Sequence, residues 1–161
     1  MHTAIDIRRY RPGEEQALFE VYHSAIHRVA SQHYTPEQVQ AWAPRDLDMD
    51  LWAERIRGIH PFVAELEGAI AGYADLQPHG YIDHFFVSGA YPRRGVGTAL
   101  MKHLLAEARS LGIDELTSDV SRAAQAFYEK FGFSVVEHRY PERRGVVIPN
   151  ALMRRSMAAS P

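Results

Sequence analysis

The stretch Tyr91-Pro92-Arg93-Arg94-Gly95-Val96-Gly97-Thr98-Ala99-Leu100-Met101 (YPRRGVGTALM) joins two segments of different period. Ahead of it, YIDHFFV (Tyr81–Val87) is dense in aromatic residues and reads as a strand. Behind it, Val96, Leu100, Leu104, Ala108 and Leu111 recur at helical spacing, and Gly112 closes the helix. The chain therefore runs strand, glycine turn, helix start. The first N–H groups of such a helix have no internal partner and carry the positive end of its dipole, which suits a pyrophosphate. Gly95 and Gly97 let a ligand approach the backbone. Arg93 and Arg94 add charge at the rim. On its own the pattern reads as a structural turn about as readily as a site.

Two other phosphate motifs fit less well. The phosphate-binding loop of nucleotide hydrolases requires a lysine and a hydroxyl after its last glycine. Thr98 and Ala99 follow Gly97, and no lysine appears before Lys102. The dinucleotide fingerprint requires a small residue where Leu100 stands. Asp119 could imitate its ribose-binding acid, but one further βα unit is too little for a doubly wound domain.

Composition narrows the class. The 161 residues suit one domain with a full core, assigned to residues 1–157 with a frayed tail over 158–161. A net charge of -2 supplies no global field for nucleic acid or an anionic membrane. The absence of cysteine removes disulfides, cysteine nucleophiles and thiolate metal sites. No apolar run is long enough to span a bilayer, and MHTAIDIRRYRPGEE lacks the apolar block of a signal peptide, so the expected location is cytoplasmic.

Working outward, IDIRRY (Ile5–Tyr10) reads as a first strand, broken by Pro12 and Gly13. A helix follows with Ala17, Leu18, Val21, Tyr22, Ala25 and Val29 on one face. Thr35-Pro36-Glu37-Gln38 is a capping box that opens a second helix, stopped by Pro44. Asp48 to Arg57 reads as a third, closed by Gly58. PFVAELE (Pro61–Glu67) and IAGYADL (Ile70–Leu76) form a hairpin around Gly68. Beyond the long helix, DELTSDV (Asp114–Val120) is a strand, and Ser121 caps a helix, AAQAFYEKF, closed by Gly132. FSVVEHRY and GVVIPNALMRRSM finish as a strand pair, with Pro149 marking a bulge or edge. The order is β-α-α-α-β-β-β-α-β-α-β-β, an α/β (α+β) pattern packed as one mixed, mostly antiparallel sheet with helices on both faces.

Two motifs together carry a resemblance. Pro92-Arg93-Arg94-Gly95-Val96-Gly97 is similar to the Gln/Arg-x-x-Gly-x-Gly/Ala that follows the fourth strand of the GNAT superfamily of acetyl-CoA-dependent N-acetyltransferases. Ser121 to Phe133, containing AAQAFYEKFGF, resembles that superfamily's Asn-x-x-Ala-x-x-Phe-Tyr-x-x-x-Gly-Phe after its fifth strand. The element order from Ile5 to Met157 looks like the same fold, and SQHYTPEQVQAWAP (Ser31–Pro44) looks like one bacterial subgroup of it. There are two departures. Pro92 replaces Gln or Arg and loses both a polar side chain and an N–H, and Ser121 replaces Asn but remains a capping residue.

The resemblance implies direct attack of a primary amine, on a small molecule or peptide, on the thioester of acetyl-CoA. It implies cofactor contacts at Arg93, Arg94, Gly95, Val96, Gly97, Thr98 and Ser121. It also implies a splay between the fourth and fifth strands, where a backbone N–H of Phe85-Phe86-Val87 faces the acetyl carbonyl. Tyr128 matches the family's tyrosine, the acid for the departing thiolate. A phenol near pKa ~10 protonates a thiolate of ~8.5 at some cost, so position matters more than acidity. For the base, strand alternation puts Tyr81, Asp83, Phe85 and Val87 on one face and Ile82, His84 and Phe86 on the other. Some members carry their base on the first of these faces, which selects Asp83, acting directly or through a water. His84 has the better intrinsic pKa, ~6.5, but the other parity unless a bulge re-aims it. His33, Tyr34, Trp42 and Tyr81 are candidates for lining the amine site, or for a packing cluster. His23 and His27 have i,i+4 spacing without a third ligand, so no metal is expected. Arg139, Arg143 and Arg144 read as a solvated turn or a greeting for an acidic substrate. The final strand pair joins subunits in many GNAT proteins, which makes a homodimer an expectation. A non-catalytic acyl-CoA-binding module and a nucleotide-binding domain are the alternatives.

Overall fold

A computed structural model describes residues 4–158. The chain order is β1 (Ile5–Arg9), α1 (Glu15–Ser24), α2 (Pro36–Trp42), α3 (Met49–Ile59), β2 (Phe62–Leu66), β3 (Ala69–Ala74), β4 (Tyr81–Ile82) and β5 (Phe85–Val87). It continues with α4 (Val96–Ser110), β6 (Glu115–Ser121), α5 (Gln125–Lys130), β7 (Ser134–Arg139), β8 (Glu142–Arg143), β9 (Val146–Val147) and β10 (Asn150–Ser156). Of the tail expected over 158–161, Ala158 is exposed, and 159–161 lie outside the described residues. No helix among the described residues is long and apolar enough to cross a membrane.

Local signals explain several boundaries. The capping box at α2 is complete: Thr35 Oγ1 accepts from Gln38 N at 3.1 Å, and Gln38 Oε1 accepts from Thr35 N at 2.9 Å. Asp48 caps α3 by accepting from Asp50 N and Leu51 N. Gly58 lies inside α3 rather than closing it, and His60 takes the left-handed position at φ 44. After Ser24 the first helix widens into a π turn over Ala25–Val29, then a 3-10 turn over Ala30–Gln32. This rotates the expected face. Phe19, Ile26 and Ala30 are buried, and Val29 is 44% exposed.

The largest departure from the sequence reading lies in Tyr81–Val87. It is not one strand. Asp75, fully buried just past β3, accepts from Asp83 N at 2.8 Å and His84 N at 2.7 Å through one carboxylate oxygen, Oδ1. Its backbone N donates to His84 O. A side chain thus takes two donors that a continuous ladder would use, and the strand breaks there. β4 pairs in parallel with β6, Tyr81 opposite Thr117 and Ile82 opposite Ser118. β5 pairs antiparallel with β3, Phe86 opposite Tyr73. The expected single sheet is therefore two four-stranded halves, β1-β2-β3-β5 and β4-β6-β10-β7, antiparallel except for β4–β6. Beyond Ile82 no ladder among the described residues joins them.

Helices cover both faces of the first half. β2 sends Phe62, Ala64 and Leu66 to the side of Leu100 and Leu104 of α4. It sends Val63 to the side of Leu18, Phe19 and Trp52 from α1 and α3. Fully buried side chains such as Leu100 and Leu104 each contribute ~1.5–3 kcal/mol to the fold. The β8–β9 ribbon and Ile148 close over the second core, against α2.

Candidate functional site

The gap between the half-sheets is the site's frame. His84 O accepts from Asp75 N, and Ser88 N donates to Ala71 O, so even-numbered residues of β5 bond to β3. Phe85 and Val87 therefore turn their N–H groups the other way, toward the gap. Among the described residues no acceptor meets them. A cavity of about 320 Å³ lies here. One wall is Phe85, Phe86 and Val87, another is the π turn with Ala25, Ile26 and Val29, and a third is Ala123, Phe127 and Tyr128. The lining is largely apolar, which strengthens any hydrogen bond made inside.

At one end of this cavity stand Pro92, Arg93 and Gly97. Gly95 takes φ 80 as the N-cap of α4, a left-handed position that favours glycine. The first bond of the helix runs from Ala99 N to Gly95 O. The N–H groups of Val96, Gly97 and Thr98 meet no acceptor among the described residues. A Cβ on Gly97 would stand 3.4 Å from the Phe127 ring, at contact distance from α5. Arg93 has φ 57, and Arg94 forms an exposed pair with Glu67 at 3.6 Å. Ser121 is not the cap expected for α5. Asn150 holds it in β6, and its carbonyl, not its hydroxyl, accepts from Ala124 N.

Tyr128 is buried, 3% exposed, with ring centroids 5.8 Å from Phe85 and 4.9 Å from Phe133. Burial holds its phenol protonated well above its ordinary pKa, and the Ser118 hydroxyl offsets part of that.

A second cavity, of about 400 Å³, adjoins the first, and Trp42, Phe86 and Ser121 line both. It is polar and aromatic by turns: Tyr22, Trp52 and Tyr34 beside Asp83, His84 and Asp119. Asp83 and His84, assigned to opposite faces by strand alternation, line this one cavity, because the break at Asp75 resets the alternation. Asp83 is paired with the Arg55 guanidinium. His84 Nδ1 is 3.0 Å from the Tyr73 hydroxyl, and burial pushes the imidazole down to about 4. It is therefore neutral at pH 7. Burial pushes the Asp75 carboxyl up to about 6, against the lowering effect of the donors from His84, Gln77 and Asp83.

The remaining sequence candidates divide. Tyr34 and Trp42 line the second cavity, their rings 5.6 Å apart, and Tyr34 Oη donates to Pro149 O and accepts from Arg122 N. Tyr81 stands behind it and donates to Asp119 at 2.7 Å. His33 is exposed and lines neither cavity. The rings of His23 and His27 stack at 3.9 Å, and His27 Nε2 lies 2.7 Å from Ala43 O. Among the described residues no group of three or more potential ligands could hold a metal. Arg143 and Arg144, read as a solvated turn or a greeting for an acidic substrate, line the second cavity, while Arg139 pairs with Asp119 at 3.0 Å. Nothing in the sequence singles out Tyr22, Trp52, Tyr73 or Asp75 for the site. The tyrosines and tryptophan look like ordinary core positions, and the role of Asp75 depends on donors eight and nine residues away.

The model of the family described as "Acetyltransferase (GNAT) domain" matches residues 30–151. The chain is 38% identical over 150 residues to the uncharacterised N-acetyltransferase YafP of Escherichia coli (strain K12), covering 93% of this chain and 95% of that one. Among solved structures, a GCN5-related N-acetyltransferase from Rhodopseudomonas palustris, also named "Aminotransferase, Class-II", superposes with a TM-score of 0.90. It is 29% identical and covers 97% of this chain and 98% of that one. The PaiA N-acetyltransferase of Thermoplasma acidophilum, in complex with coenzyme A, shares the fold at a TM-score of 0.70 and 17% identity, with coverage of 95% and 99%.

Proposed function

The chain belongs to the GNAT acetyltransferases, acetyl-CoA-dependent acyltransferases, and from that premise we propose that it moves the acetyl group of acetyl-CoA to a primary amine by direct attack. The observation that carries this reading is the meeting of the two cavities at Trp42, Phe86 and Ser121, beside a strand edge with unpaired N–H groups. The apolar cavity suits a thioester arm, and the polar one suits an amine. Acetyl-CoA, when bound, supplies an activated acetyl carbonyl and a thiol leaving group. The N–H groups of Val96, Gly97 and Thr98, with Arg93 and Arg94 at the rim, would hold its pyrophosphate. The N–H groups of Phe85 and Val87 would face the acetyl oxygen and stabilise the charge that builds there.

The amine nitrogen attacks the carbonyl carbon as the C–S bond breaks. Tyr128 gives its proton to the departing sulfur, and the ammonium loses its own to Asp83 through a water. His84 is the alternative base, since its neutral imidazole faces the same cavity. The pair of variants Asp83→Asn and His84→Gln separates them. The true base loses the acidic limb of the kcat/KM–pH profile and falls ~10²–10⁴-fold in rate, while the other keeps the limb. Thiol release from acetyl-CoA over a panel of amines tests the whole reading. Acetyl-CoA binding without release across a broad panel would overturn it in favour of a non-catalytic module. A second copy would meet this one along β7, whose Val135 and Val136 are exposed, and sedimentation at equilibrium checks that.

A further inference from the structure

The charges around the larger cavity are unequally used, and on the acetyl-transfer reading they describe the acceptor. Arg55 is taken by Asp83. Asp119 is taken by Arg139 at 3.0 Å and by the Tyr81 hydroxyl at 2.7 Å. Asp48 accepts from the first N–H groups of α3. Arg143 and Arg144 remain. Both line the cavity, and among the described residues neither forms an ion pair.

Their turn is anchored. Arg144 Nη1 donates to Ala41 O at 2.7 Å, Gln38 Nε2 donates to Val147 O at 3.0 Å, and Ile148 is buried. Two arginines adjacent in sequence, one of them anchored through Ala41 O, thus line a cavity wall without a counter-ion, an arrangement suited to a carboxylate. Aromatic rings line the same cavity: Tyr22 and Trp52 lie 4.9 Å apart by ring centroid, and Trp42 and Phe86, which line both cavities, lie 6.4 Å apart. About 400 Å³ is room for a ligand of modest size.

We infer that the acceptor is an aminocarboxylate, its carboxylate on Arg143 and Arg144, its apolar body against Tyr22 and Trp52, and its amine at the junction beside Phe86 and Ser121. With its carboxylate on the arginines and its amine at the junction, an acceptor whose amine is separated from its acid by a ring is favoured over a simple neutral amine.

4-(Aminomethyl)benzoate and benzylamine differ only in the carboxylate. The two tryptophans of the chain, Trp42 and Trp52, both line this cavity, so quenching of intrinsic fluorescence reports occupancy without turnover. The acid is expected to bind at least ~10-fold tighter than benzylamine. The Arg143 side chain is exposed and donates to no protein acceptor among the described residues, so Arg143→Ala leaves the packing intact. It should weaken the acid far more than the neutral amine, and Arg143→Lys should restore part of the difference. Equal affinities, no binding of either at millimolar concentration, or a preference that survives in an Arg143→Ala/Arg144→Ala double variant would overturn the inference. Thiol release from acetyl-CoA, measured on the same samples, separates the two readings. Tighter binding of the acid without release overturns acetyl transfer and leaves the aminocarboxylate site standing. Release with benzylamine and no preference for the acid does the reverse.

Discussion

Tyr128→Phe is expected to lower the turnover number for acetyl transfer by roughly 10²–10³-fold, with acetyl-CoA affinity changed by less than about threefold. The phenylalanine ring keeps the contacts with Phe85 and Phe133 that hold α5 against the apolar cavity. Nor does the substitution strand a neighbour, because the Ser118 hydroxyl already donates to Ile82 O at 2.8 Å. What is lost is one proton. Burial raises the phenol and keeps it protonated across the working range of pH. Single-turnover measurements isolate the chemical step. An unchanged rate there would remove Tyr128 from the mechanism.

Asp75→Asn should change how stability depends on pH rather than abolish the fold. The asparagine oxygen can still accept from Asp83 N and His84 N, because both use one carboxylate oxygen, and the Gln77 amide can turn to meet the new NH₂. The folded-state pKa of Asp75, about 6, lies above that of the unfolded chain. Its contribution is therefore complete below the unfolded value of ~3.9 and is lost as pH rises through 6. His84 runs the other way. Its folded value, about 4, lies below the unfolded ~6.5, so its contribution is complete above 6.5 and is lost as pH falls through 4. The windows overlap and the slopes oppose, so the pair leaves the wild type nearly flat between them. Removing Asp75 exposes the acid lability of His84. The stability of the variant relative to wild type should fall by about 2 kcal/mol between pH 7 and pH 4, read from urea unfolding at each pH. Parallel profiles would sink this account. Asp75→Ala, which also leaves two N–H groups without their acceptor, should cost about 2–4 kcal/mol more than Asp75→Asn while following the same pH dependence.

Much of the fold could be read locally. Thr35 and Gln38 form a cap from four consecutive residues, Gly68 turns a hairpin, and the glycines before α4 leave the helix start open. The break in Tyr81–Val87 could not be read this way. It is made by a carboxylate just past the end of another strand, and the segment itself alternates like any buried strand. The π turn was hidden for a related reason. A period of 3.6 predicts Val29 inside, while one widened turn puts Ile26 there instead. In the site, Tyr34, Trp42, Asp83 and Tyr128 were legible as residue types in a suggestive order. For Arg143 and Arg144 the sequence left a solvated turn and a greeting for an acidic substrate equally open, because only the docking of the β8–β9 ribbon on α2 brings them to a cavity.

The outward N–H groups of β5 carry a further consequence, for the behaviour of the protein in crowded solution. An unpaired strand edge on a surface is a template on which other chains add strands and aggregate. Here that edge lies inside a slot fenced by Val29 and Ile26 on one side and Phe127 and Tyr128 on the other. A thin extended molecule can enter, but a second sheet cannot. The protein therefore keeps open hydrogen-bonding capacity on a sheet edge without the association hazard that such edges carry, and substitutions that thin the fence should show first as loss of solubility.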